Sequence, residues 1–270
     1  MTRGDVQAAP LELLAESPQK RDKDAPTSGR IPDYVGERIR RLPSDGCNVV
    51  EGSTPVVWFG HLATSRIATV GLNPSSREFQ EDRLETQASL TRDGISRADS
   101  EWVARVVAAC DRYFEHRPYD SWFKVLDESV VKAFEGSYYS GDACHLDLVQ
   151  WATSHRWGNL TPGAKKKLLG EDAPFLAHLI GEPNLRVVML NGWGVVTNFR
   201  RFVAPLAEVA PPITTCGIST RFYASKIGEL TVIGWSKNLT DSWEIQNSPP
   251  EVAEAFRQAV AQRSRELCPV

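Results

Sequence analysis

The chain is poor in the residues that build metal centres and covalent frameworks. Its five cysteines, Cys47, Cys110, Cys144, Cys216 and Cys268, are scattered, odd in number and without a Cys-x-x-Cys pair. That pattern argues against a disulfide framework or an iron–sulfur cluster and for buried apolar thiols. The five histidines show no zinc-type spacing, so neither metal nor cofactor is expected. No apolar run is long enough to cross a bilayer, which excludes a spanning helix. The start, Met1-Thr2-Arg3-Gly4-Asp5, lacks the basic and apolar regions of a secretory signal, and a cytoplasmic location is expected. Charge of one sign is also missing: 31 Lys and Arg face 34 Asp and Glu, a net of −3. This balance argues against tight, sequence-blind coating of DNA and leaves room for a local basic patch.

What is present suits a filled core. The chain has 270 residues, of which 41% are hydrophobic, and a chain this long buries most of its apolar surface. Residues 1–30 are rich in Ala, Pro, Ser, Lys and Asp and read as a disordered tail. Residues 31–270 read as one domain, expected to be a monomer.

Apolar, β-prone runs mark strands at 67–70, 143–149 and 185–190, with one or two more within 212–234, the last at 230–233; Val56-Val57-Trp58-Phe59 reads as a short strand or extended entry. Between them lie helical patterns. Trp102, Val106, Cys110 and Phe114 recur every four residues behind a cap at Asp99 or Ser100. Further helices are expected over 34–41, 120–134, 165–180 with a break near Gly170, 192–202, and from Ser248 onward. Alternation of strand and helix predicts a three-layer α/β/α domain with a mainly parallel central sheet. Such sheets bind ligands at the carboxyl ends of their strands.

Ile67-Ala68-Thr69-Val70-Gly71-Leu72-Asn73-Pro74 is the segment that best fits that rule. A buried strand delivers one amide, Asn73, to the mouth of the sheet, with Gly71 read as a turning point and Pro74 fixing the backbone beyond it. Taken alone, Asn73 reads as a turn residue bonding its own backbone.

Five further segments stand in order along the chain. They are Ser121-Trp122-Phe123-Lys124-Val125-Leu126, His145-Leu146-Asp147-Leu148-Val149, Asn159-Leu160-Thr161-Pro162, residues 185–194, and Gly234-Trp235-Ser236-Lys237-Asn238-Leu239. With Gly71-Leu72-Asn73-Pro74-Ser75 in first place, the series resembles the uracil-DNA glycosylase superfamily over about residues 55–265. The nearest pattern is that of its mismatch-specific and single-strand-selective branches. Three departures matter, one being the lack of cluster cysteines, which argues against the family's iron–sulfur branch. The second motif keeps only Ser236 and lacks His and Pro, and the strand that ends in a base-reading Asn in the family carries Asp147 here.

The resemblance implies a glycosylase that flips a base out of DNA and hydrolyses its bond to deoxyribose, without a cofactor or lyase activity. Asn73 would hold the water. Trp122 and Phe79 would stack on the base. Ser75, Ser76, Arg77, His155, Arg156, Ser236, Lys237 and Asn238 would contact DNA, and Leu239 would wedge into the base stack.

Asp147 points to the base. A carboxylate accepts from the amino group of cytosine, and in protonated form it would also donate to N3 and help the base leave. That implies a modified or damaged cytosine, such as a hydroxymethylated or glucosylated one, handled in DNA repair or in defence against phages. Asp147 paired with a nearby Arg, or capping a loop, is the alternative reading. His145 reads as a satisfied core histidine. Two other readings of the whole chain stay open: a catalytically silent binder of abasic or flipped sites, and a nucleoside N-glycosidase.

Overall fold

The computed structural model describes residues 31–80 and 99–269; the expected tail over 1–30 lies outside them. Helix α1, Asp33–Arg40, precedes the sheet. Strand β1 is Ile67–Gly71, and a short turn of helix, α2, covers Arg77–Gln80. Helices α3 (Ser100–Asp111), α4 (Tyr113–His116) and α5 (Asp120–Leu126) lead to β2, Ala143–Asp147. Then come α6 (Pro162–Leu179), β3 (Val187–Asn191) and α7 (Trp193–Phe202). Strands β4 (Ala207–Thr215), β5 (Ile218–Ile227) and β6 (Leu230–Trp235) come next, then α8 (Trp243–Gln246) and α9 (Pro250–Leu267).

The six strands form one sheet in the order β2-β1-β3-β6-β5-β4. The first four run parallel, and β5 and β4 join antiparallel at one edge. Every residue of β1, β2 and β3 is buried, as expected of parallel strands covered on both faces. This is an α/β chain with a mixed, mostly parallel sheet. Among the described residues no helix is long and apolar enough to cross a membrane.

Local chemistry explains the helix starts. Asp99 caps α3 by accepting from Trp102 N at 2.8 Å. Thr161 caps α6 by accepting from Ala164 N at 3.2 Å, with Pro162 in the first turn, where its missing N–H costs nothing. The Leu160-Thr161-Pro162 element is therefore a helix start. α6 runs unbroken through Gly170, contrary to the expected interruption. Residues 120–134 are helical throughout, as expected, but change type: α5 passes into a π turn at Asp127–Val131 and a 3₁₀ turn at Lys132–Phe134.

β4 differs most from the sequence reading. It begins at Ala207, carries Pro211 and Pro212, and lies mostly exposed at the sheet edge with two register shifts against β5. Proline has no N–H to donate to a ladder, so edge strands and bulges are where it fits. Cys216 and Gly217, both at positive φ, turn the hairpin. Cys216 is the exposed cysteine; the other four are buried, and burial pushes the Cys110 and Cys144 thiols up to about 12.

Candidate functional site

The carboxyl ends of β1, β2, β3 and β6 lie side by side. Gly71 pairs with Asp147, and Asn191 with Trp235. Pairing outlasts β1 and β2, because Leu148 N donates to Gly71 O and Val149 N to Leu72 O. The chain thus leaves both strands in step, and Asn73 meets the loop beyond Asp147.

Asn73 is half-buried, and its amide N–H₂ donates to Pro74 O at 3.0 Å, Thr153 Oγ1 at 3.1 Å and Trp151 O at 3.4 Å. Two of those acceptors are far away in sequence, so Asn73 is more than a turn residue. Its Oδ1 has no hydrogen-bond partner among the described residues.

The loop that holds Asn73 is itself anchored from behind. Gln150 N donates to Asp172 Oδ2 at 3.0 Å, and Gln150 Nε2 donates to Asp147 O at 2.8 Å. Arg38 binds Gln150 Oε1 through Nε at 3.0 Å and Asp172 through Nη2 at 2.8 Å. Arg41 adds a second cation to Asp172 at 3.2 Å. Burial pushes the Asp172 carboxyl up while Arg38 and Gln150 N–H pull it back. This buried cluster does not appear in any local motif: Arg38 and Asp172 are far apart along the chain, and each alone reads as a surface charge.

Asp147 is only 4% exposed, and its carboxylate accepts no hydrogen bond from the described residues. The expected alternative, an arginine partner, is not what stands there. Its neighbour is His145 Nε2 at 3.5 Å, too far for a well-formed hydrogen bond. Gly71 makes room for both. A Cβ on Gly71 would sit 2.5 Å from Asp147 Oδ1 and 3.0 Å from His145 Nε2. Gly71 is ordinary extended backbone, so its role is space rather than the turn read from the sequence.

Trp122 stands over this pair from α5, half-buried, its ring centroid 4.8 Å from that of His145 in an edge-to-face contact. Its side chain lies close enough to the Asp241 carboxylate to favour that group's charged form. Burial pushes that carboxyl up, and Trp122 and Arg156 act against the shift. Trp122 of α5, Asp241 of the loop after β6 and Arg156 of the loop after β2 are thus near enough to act on one another electrostatically. Phe79, also half-buried, packs against the core from α2. A cavity of about 430 Å³ lies at the opposite ends of β1 and β3, lined by Arg66, Ile67, Val187 and Arg265 among others. It is separate from these groups.

The remaining expected DNA contacts divide sharply. Arg77 is exposed and donates to Tyr119 OH at 2.9 Å while lying over that ring. His155 and Arg156 are exposed on the loop after β2. Ser75 Oγ accepts from Arg77 N at 3.2 Å and so shapes the start of α2, with Ser76 half-buried beside it.

The last loop needs correction. Leu239 is 0% exposed and belongs to the core, so it cannot wedge into a base stack. Asn238 Oδ1 is occupied by Thr240 N at 2.8 Å, Thr240 Oγ1 at 2.6 Å and Asp241 N at 2.9 Å. Ser236 Oγ accepts from Arg221 N at 3.0 Å, tying β6 to β5. Lys237 pairs with Glu244. Asn191 fixes the whole loop: its Oδ1 accepts from Leu239 N at 2.9 Å and Trp235 Nε1 at 3.1 Å. Gly192, at φ +102°, touches Asn238 closely where a Cβ would sit, so no other residue fits well. The exposed apolar group here is Trp243, at 74%, which the sequence reading passed over.

No protein-family model matches the chain, and no curated protein matches it.

Proposed function

We propose that the protein is a DNA N-glycosylase with a uracil-DNA glycosylase-like, three-layer architecture, acting on a flipped-out modified or damaged base. A modified cytosine is the favoured substrate, and repair or defence against phages the favoured role. The observation that carries this reading is the placement of Asn73 and Asp147 at the adjacent carboxyl ends of β1 and β2. An amide whose N–H₂ is tied down and whose oxygen is unoccupied sits one strand away from a buried carboxylate without a hydrogen bond. Polar atoms that bond no other residue at the carboxyl ends of parallel strands are free to meet a ligand.

The chemistry comes from those groups. Asn73 Oδ1 accepts a hydrogen bond from water and aims it at C1′. An amide is too weak a base to remove the proton early, so the C1′–N bond breaks first. The base leaves with the bonding pair, the water oxygen bonds to C1′, and its proton goes to solvent or the departing base. Positioning and electrostatics supply most of the rate. Asp147 holds the base. Trp122 closes over it, and Arg77, His155 and Arg156 line the approach of the strand. The reaction uses no cofactor and needs no Schiff base.

A panel of duplexes carrying uracil, hypoxanthine, and methylated, hydroxymethylated or glucosylated cytosine tests the proposal. Base release from a modified-cytosine duplex, without strand cleavage before heat or alkali, is the expected result. Asp147→Asn should shift preference toward uracil. Release from free nucleosides but not DNA, or binding to abasic sites without release from any duplex, would replace the reading.

A further inference from the structure

β1 and β2 run parallel in a register that pairs Thr69 with His145 and Gly71 with Asp147. Alternate strand residues share a face, so all four stand on one side of the sheet. On that side Thr69 Oγ1 lies 2.7 Å from His145 Nδ1 and also hydrogen-bonds the Tyr138 hydroxyl. Tyr138 is 2% exposed, and burial keeps its phenol protonated well above the usual range.

The Tyr138 hydroxyl has Thr69 Oγ1 as its one partner among the described residues. Were Thr69 to donate to Tyr138, the phenolic proton would be buried with no acceptor, at a cost of roughly 1–3 kcal/mol. Tyr138 therefore donates to Thr69; the Thr69 hydroxyl proton then needs an acceptor, and His145 Nδ1 is the one the structure offers, so Thr69 donates to Nδ1. In a neutral imidazole the proton then sits on Nε2. That N–H faces the space beside Asp147 over Gly71. His145 is 3% exposed, and Asp147 Oδ1 lies 3.5 Å from Nε2, too far for a well-formed hydrogen bond.

We propose that His145 is a base-reading residue, fixed as the Nε2–H tautomer by Tyr138 and Thr69, and that it and Asp147 together take the amino-and-ring-nitrogen edge of a cytosine-type base. Asp147 accepts from the exocyclic amino group, and His145 donates to N3. The carboxylate no longer needs to be protonated to serve N3. Uracil fits this pair less well, because its N3–H is flanked by two carbonyl oxygens that a carboxylate repels. His145 supplies a donor to the departing ring from β2, where the last loop offers no histidine. The inference rests on the glycosylase reading for its substrate, but the tautomer stands apart from it.

Two measurements keep the two ideas separable. Nitrogen-15 spectra of the imidazole should show a bare Nδ1 and a protonated Nε2, and Thr69→Val or Tyr138→Phe should weaken that preference. A protonated Nδ1 in the wild type overturns the proposal, whatever the activity. On duplexes, His145→Phe should reduce the preference for modified cytosine over uracil by about tenfold, and His145→Gln, which keeps an N–H donor, should restore part of it. An unchanged ratio in a folded His145→Phe overturns the proposal while leaving the glycosylase reading intact. Should no duplex release a base, free cytosine and uracil serve as probes. Cytosine should perturb the His145 nitrogen signals at lower concentration than uracil, and equal response to both overturns the assignment.

Discussion

The Asn73 amide donates to Thr153 Oγ1 at 3.1 Å, joining the end of β1 to the loop after β2. The amide proposed to hold the water is thus oriented by the loop that follows the strand carrying Asp147. Asn73→Ala should lower base release by about a hundredfold with KM little changed, since only water placement is lost. Asn73→Asp should be less stable than Asn73→Ala. It sets a carboxylate against the Pro74 and Trp151 carbonyl oxygens, which the native N–H₂ satisfies. Single-turnover kinetics and melting curves of the two variants check both statements.

Trp243 should carry the DNA contact once expected of Leu239. Its exposed ring at the start of α8 is placed to stack on a base, a contact worth about 1–3 kcal/mol. Trp243→Ala should weaken duplex binding by about tenfold while moving the melting temperature by no more than about 2 °C. Leu239→Ala should do the reverse and cost about 2–5 kcal/mol of stability, because it opens a hole in the core.

Breaking the buried charge cluster should unsettle the Asn73 loop. Asp172→Ala leaves Arg38 without its carboxylate and Gln150 N without an acceptor. A loss of about 3–5 kcal/mol is expected in urea unfolding. Arg38→Met should cost less, since Arg41 still faces Asp172.

Asp111 supplies a pH test. Burial raises its carboxyl above the ordinary range, against the opposing effects of the Trp58 indole N–H at 2.7 Å, His61 and Arg112. The folded state therefore holds this proton more tightly than the unfolded state. Its contribution is fully present below the unfolded value and is lost as pH rises through the folded one. Asp111→Asn keeps an acceptor for Trp58 and removes the titration. The variant should gain stability relative to the wild type as pH rises across that window, and match it more closely in acid. A flat difference between the two would show that Asp111 does not titrate there.

The four parallel strands were legible because each is a short apolar run ended by Gly, Asn or a polar turn. β4 was not, since exposed residues and two prolines give it neither alternation nor apolar weight. The site was legible as single residues and illegible as contacts. Asn73 and Asp147 announce themselves as polar groups at strand ends. Nothing local says that Thr69 and His145 will share a register, since only the parallel pairing of β1 with β2 brings them together. The last loop shows the opposite failure. Lys237, Asn238 and Leu239 look like an exposed set, yet Asn191 reaches in from β3 and turns Leu239 inward.

Gly71 and Asp147 have a consequence for descent. Any side chain at 71 would collide with the carboxylate across the strand pair. The two positions should therefore behave as one inherited unit: lineages that keep the acid keep the glycine, and the glycine becomes free to drift only after the acid has been exchanged for something smaller.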